Sequence, residues 1–365
     1  MKAKPSITTF QYGILIVGAL IANGIFTLPR VVSQDAGRSA WVVIAFVGLV
    51  VFGIAALAHL VASHYPGQDP AEWSLTLLGP VLGRLWLFSY LIKSCFFAVL
   101  TAKIYAAIVT SRMLLTTPSS VIAAIVLIVS VMAVLAKLGG LARFSEVSVY
   151  VWLPLLTLFV QIIEHDQFYL LRPIFGDASV SDLFKASRQA AYSFAGFDIL
   201  LFAYPHLHKQ KAPLRTVLWA MVFVTAVYVL TTIAATTFLG LEQMTRILAP
   251  TLTILSIAET SIVERIDSIA LFLWMGIVVI TAATQLYMGT RALQGIIKGV
   301  SYHKTIMTLG SFLLVITWGD TPLREVVAVS AIFGDFDLSF VAISVVVFLV
   351  LIYIKKASQK NAPFT

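Results

Sequence analysis

Two glycine-centred interruptions sit inside strongly apolar segments in the two halves of this chain, Ala22-Asn23-Gly24-Ile25-Phe26 and Phe194-Ala195-Gly196-Phe197-Asp198. Glycine inside an apolar helix weakens it and lets backbones come close. Where a membrane helix unwinds, its freed N–H and C=O groups must be met by neighbouring protein or by the contents of a cavity. Breaks at corresponding positions of two halves mark inverted-repeat proteins that bind small molecules at the bilayer midplane. The pairing therefore predicts both an architecture and a site.

Composition places these breaks in a membrane. At 59% hydrophobic residues, 12% charged residues and a mean hydropathy of +0.95, the chain has more apolar surface than a soluble core of its size could hide. The net charge of +8 would suit nucleic acid, but the lysines and arginines are spread over short inter-helix segments and form no basic face, so no nucleic-acid partner is expected. The single cysteine, Cys95, rules out an intramolecular disulfide and a Cys-based metal framework, and no metal or other cofactor is expected. Patterns of the HExxH, GxSxG and Walker A kind are absent, which argues against an enzyme. The first apolar run continues through Pro29-Arg30 without a small-residue cleavage site and reads as a retained helix.

A hydropathy walk predicts an all-α integral membrane protein with ten spans, near 8–30, 40–63, 82–111, 118–136, 145–163, 184–205, 213–240, 264–297, 303–318 and 336–355. With both termini cytoplasmic, the inner segments hold the larger share of the 25 lysines and arginines, as the positive-inside rule requires. The chain then forms one polytopic domain, 1–365. Its repeats cover approximately 8–163 and 184–355, and because each has five spans the second runs inverted relative to the first. The longer connections, 164–184 and 241–263, are candidate lids, the second carrying a short helix.

Four groups of side chains stand out. In span 1, Gly18, Ala22 and Gly24 allow close approach, Asn23 tolerates non-helical angles and Pro29 cannot extend the hydrogen-bond ladder. A half-helix starting there would turn N–H groups and a positive dipole toward a carboxylate, although membrane glycines also serve plain packing. In span 6, an ionised Asp198 would cost at least about 2.5 kcal/mol unless it found a cavity or a partner. Lys93 lies at similar depth in the oppositely directed span 3, which predicts an ion pair that either moves with a gate or fixes helix packing. In span 8, Thr281, Thr284 and Gln285 share adjoining faces and could hold a ligand or a cation, or bond their own backbone. In span 3, Tyr90, Ser94 and Phe97 fall at helical spacing, as a pocket wall or as packing.

These residues carry a family resemblance. "IANGIFTLP" in span 1 and "SFAGFD" in span 6 resemble the broken-helix signatures of the amino acid–polyamine–organocation superfamily, which implies a LeuT-like five-plus-five fold. "LRPIFG", "SFAGFDILLFAYPHLHKQK" and the Pro250-Thr251 segment followed by "VERIDSIALFLW" resemble, more narrowly, the B subunit of bacterial spore germinant receptors. The resemblance runs over essentially the whole chain. It implies a subunit that senses a small germinant, an amino acid, in the inner spore membrane or bacterial plasma membrane, together with an A-subunit membrane protein and a C-subunit lipoprotein. It assigns binding to Ala22, Asn23, Gly24, Ile25, Phe194, Ala195, Gly196, Phe197, Thr281 and Gln285. Asp198 stands where many relatives have glutamate, and the resemblance gives Lys93 no role. The alternative is a proton- or sodium-coupled amino acid permease.

Overall fold

The computed structural model describes residues 6–22, 24–163, 165–174, 178–208, 214–257 and 266–360. Asn23, Phe175-Gly176 and 258–263, singled out above, lie outside the described residues. The chain runs as α1 (Thr9–Leu20), α2 (Gly24–Ala36), α3 (Ala40–His64), α4 (Pro70–Arg112), α5 (Ser119–Leu135), α6 (Lys137–Trp152) and α7 (Leu155–Ile162). It continues as α8 (Val180–Ala190), α9 (Ile199–Ala203), α10 (Leu214–Arg246), α11 (Pro250–Ile257), α12 (Ile266–Ile296), α13 (Tyr302–Thr317) and α14 (Leu323–Lys360). Spans 1 and 6 are each divided, into α1 with α2 and into α8 with α9. Span 5 is divided as well, at Pro154 between α6 and α7.

Local chemistry sets the ends of these helices. Thr8 and Gln11 form a reciprocal capping box that starts α1, each side chain meeting the other residue's N–H at 3.1 Å. Asp69 accepts from the Ala71 N–H with Pro70 at the first helical position, so α4 begins well before the predicted 82. Gly79, at φ +79°, bends α4 just before Pro80. Likewise α6 starts at Lys137 instead of 145, and α14 at Leu323 instead of 336. The cause is common to all three: the added turns carry polar residues such as Glu72, Arg143 and Glu325, which lower a hydropathy average without disfavouring helix.

Contacts define two opposite faces of the bundle. On the first, Ser6 donates to the His206 carbonyl at 2.7 Å and His208 to that of Ile7 at 3.0 Å, joining the start of span 1 to the end of span 6. There Arg291 of α12 also grips Asp69 through two nitrogens, at 2.8 and 2.7 Å. On the second face, Lys103 reaches the Gly319 carbonyl and the Thr321 hydroxyl, and Arg112 donates to Thr253 of α11. Six helical stretches among the described residues are long and apolar enough to cross a membrane. Their outward sides carry Phe46, Leu49, Phe272 and Ile332, all exposed, a surface suited to lipid.

Candidate functional site

The first break follows from α1 running out of helical geometry at Ile21, whose ψ is +80°. The Ala22 N–H turns back to the Leu20 carbonyl at 2.8 Å, and helix resumes only at Gly24. The first-turn N–H groups of α2 therefore face the break without intrahelical partners. Gly24 lies against the other break: a Cβ placed on it would come within 2.5 Å of Ser193 Oγ and 2.9 Å of Ser193 Cα. Only glycine permits that approach.

The second break is a 3-10 turn, Ala191–Phe194, followed by extended Ala195 and by Gly196 at φ +103°. A Cβ on Gly196 would lie 2.9 Å from the Ala19 carbonyl oxygen. Tyr228 of α10 joins the two breaks, its hydroxyl standing 2.8 Å from the Leu20 carbonyl and 2.7 Å from that of Ser193. One phenolic hydroxyl thus bridges the two breaks, adding to the Ala22 N–H at the Leu20 carbonyl and meeting that of Ser193, the kind of compensation that broken membrane helices require.

On the far side of the breaks lies α12. Thr281 directs its hydroxyl to the Gly18 carbonyl at 3.0 Å and the Ile277 carbonyl at 3.2 Å, and Thr284 donates to the Thr281 carbonyl at 2.8 Å. Both hydroxyls are committed to backbone. Gln285 is different. It is fully buried, among the described residues neither amide atom has a partner, and Nε2 lies 3.5 Å from where a Gly196 Cβ would stand. Ser94 of α4 lies against Gly289, one turn from Gln285, and its buried hydroxyl is also unpartnered. Ala22, Ala195, Phe197, Thr281 and Gln285 are all buried, so the site is closed on both faces.

Other residues singled out from the sequence are turned elsewhere. The Ile25 carbonyl accepts from Thr251 of α11 at 2.7 Å. Phe194 packs edge-on against Tyr228, and Phe97 against Tyr192 and Phe333. Tyr90 points into a cluster with Trp86, Phe202 and Phe340, and its hydroxyl donates to Asp198.

Lys93 and Asp198 meet at 2.6 Å, and Lys93 also lies 2.6 Å from Asp337 of α14, with all three side chains fully buried. The ammonium stands 4.7 Å from the Tyr90 ring centroid. Asp337 was missed because the predicted tenth span opens at 336, which makes it look like an end residue. Two acids in the apolar run Gly334-Asp335-Phe336-Asp337 were the available signal. Tyr228 and Ser193 were also missed, since an isolated tyrosine or serine in a membrane helix has no distinguishing pattern.

The family model described as "Spore germination protein" matches residues 6–361. Spore germination protein YndE of Bacillus subtilis (strain 168) is 25% identical over 276 residues, 74% of this chain and 75% of that protein. Spore germination protein A2 of the same strain is 21% identical over 97% of this chain and 98% of its own length, and GerQB of Bacillus cereus 22% identical over 75% and 76%. Among solved structures, MhsT in complex with L-phenylalanine superposes with a TM-score of 0.64 at 14% identity, over 96% of this chain and 99% of that one, a likeness of fold. The fold is thus the LeuT-like helical arrangement with spans 1 and 6 broken. On the family match over nearly its whole length, this chain is an integral membrane protein that belongs to the spore permease family of spore germination proteins.

Proposed function

We propose that the chain is the nutrient-sensing subunit of a spore germinant receptor, a binding protein and not an enzyme, which takes a small amino acid at the midplane between spans 1 and 6. One observation carries this reading: Gln285 is fully buried beside Gly196 with its amide oxygen and nitrogen both unpartnered among the described residues. Burying such a group is costly unless something bonds it. A zwitterion suits the surroundings. Its carboxylate would meet the N–H groups that start α2, and its ammonium would meet the Gln285 oxygen and break-site carbonyls. The neighbour of the same fold is described with an amino acid, L-phenylalanine.

In this reading both termini are cytoplasmic, the membrane is that of the dormant spore, and ligand enters from the second face past α11. Binding shifts the population of bundle arrangements only by its differential affinity for them. The A subunit and the C-subunit lipoprotein then receive the change. Thermal shift of the purified chain in nanodiscs against a panel of amino acids, paired with uptake of labelled ligand into vesicles, tests the proposal. Stabilisation without uptake supports a receptor, stabilisation with uptake supports a permease, and no stabilisation by any amino acid removes the proposed ligand class.

A further inference from the structure

The buried cluster on α4, the second break and α14 holds one ammonium and two carboxyl groups. With both carboxyls ionised it would carry a net negative charge in a fully buried site, a state that burial strongly disfavours. The two acids are not equivalent. Asp198 Oδ2 accepts from both the Tyr90 hydroxyl and Lys93, whereas among the described residues Asp337 is met only by Lys93, at Oδ1. Each has a second oxygen, Asp198 Oδ1 and Asp337 Oδ2, that is buried without a partner. Two donors on one carboxylate make Asp198 the better anion and leave Asp337 as the acid.

We infer that the cluster is a proton-binding site: one exchangeable proton resides on Asp337 Oδ2, rendering Lys93, Asp198 and Asp337 together neutral, and its release to water unlocks the second break from α14. Facing Asp337 are Lys93 and Tyr90 of α4 and Asp198 of span 6. The remaining charges nearby are the Arg188–Asp335 pair, which joins α8 to α14 at the surface, while on α3 His59 meets the Tyr204 ring edge to face. When Asp337 loses its proton, two carboxylates compete for one ammonium, and the tie between span 6 and α14 is redistributed. The inference stands on this cluster alone, so failure of amino-acid binding leaves it intact.

Infrared spectroscopy of the full chain in liposomes at neutral pH, in H2O and D2O, tests it directly through the carbonyl stretch of a protonated carboxylic acid. The wild type is expected to show this band. Asp337→Asn, which copies the shape of the protonated acid and so keeps the fold, is expected to reduce it to background. Asp198→Asn is expected to do the same, because the remaining carboxyl then pairs with Lys93 as an anion. A parallel melting series is expected to show wild type losing stability relative to Asp337→Asn as pH rises. Absence of the band in wild type, or a band of undiminished area in Asp337→Asn, overturns the inference.

Discussion

Replacing Gln285 by methionine separates a ligand-binding role from a packing role, because the two predict opposite signs for stability. In the ligand-free protein both amide atoms are buried and unpartnered, a state that costs about 1–3 kcal/mol. Methionine has nearly the same length and volume, and swaps of that kind cost under about 1.5 kcal/mol. The variant should therefore be as stable as wild type or more so, by roughly 1–2 kcal/mol, which raises Tm by one to a few degrees. Ligand response should move the other way. An amino acid at about 100 times its Kd stabilises wild type by about 2.7 kcal/mol. Losing hydrogen bonds worth about 3 kcal/mol in total weakens binding more than about 100-fold and cuts the stabilisation at that concentration to a few tenths of a kcal/mol. The assay is a melting curve in nanodiscs with and without ligand. A destabilised Gln285→Met that retains the full ligand shift refutes the reasoning, since it would mean that the amide is satisfied within the protein and does not touch the ligand.

Three further outcomes follow from the same geometry. Tyr228→Phe strips the shared proton from the Leu20 and Ser193 carbonyls, leaving Leu20 only its Ala22 N–H, and should lower stability by about 1–3 kcal/mol, read by denaturation in mild detergent; an unchanged midpoint means other donors serve these carbonyls. Gly196→Ala combines a φ of +103° with a Cβ 2.9 Å from the Ala19 carbonyl oxygen and should cost about 2 kcal/mol or more, measured as a loss of folded protein on heating. At the second face, the Ser119 hydroxyl and Ser120 N–H hold the Asp320 carboxyl below the usual carboxylate range. Its contribution is therefore fully present above the unfolded value of about 3.9 and is lost as pH falls through the lower folded value, so the protection of amides at the start of α5, taken relative to their intrinsic exchange rates, should fall only in that acid window and stay constant there in Asp320→Asn.

What could be read from the sequence was whatever leaves a local trace. Glycine pairs interrupting apolar runs are such a trace, and the chain unwinds at Ile21–Ala22 and at Ala195–Gly196. Depth matching was another: Lys93 and Asp198, on oppositely directed spans, meet at 2.6 Å. The third member, Asp337, was hidden by an averaging window that put the start of the last helix thirteen residues too late, at 336 and not Leu323. The role of Gly24 was legible only in part. Its residue type announced close approach, but the partner, Ser193, is 169 positions away and is set by how the two half-helices pack. Hydroxyl chemistry was the least legible. Thr281 and Gln285 lie one turn apart on one helix, yet the first is spent on the Gly18 carbonyl and the second is left open, a distinction that depends on rotamers and neighbours.

The central claim is that the two breaks and Gln285 enclose an amino acid. A structure of the chain determined with a stabilising amino acid bound tests it most directly. The account predicts density for the ligand between Gln285, Gly196 and the start of α2, with the carboxylate toward the α2 N–H groups. Density only in the surface groove lined by Phe10, Trp219 and Phe223, or a ligand whose contacts leave the Gln285 amide unpaired, would contradict it.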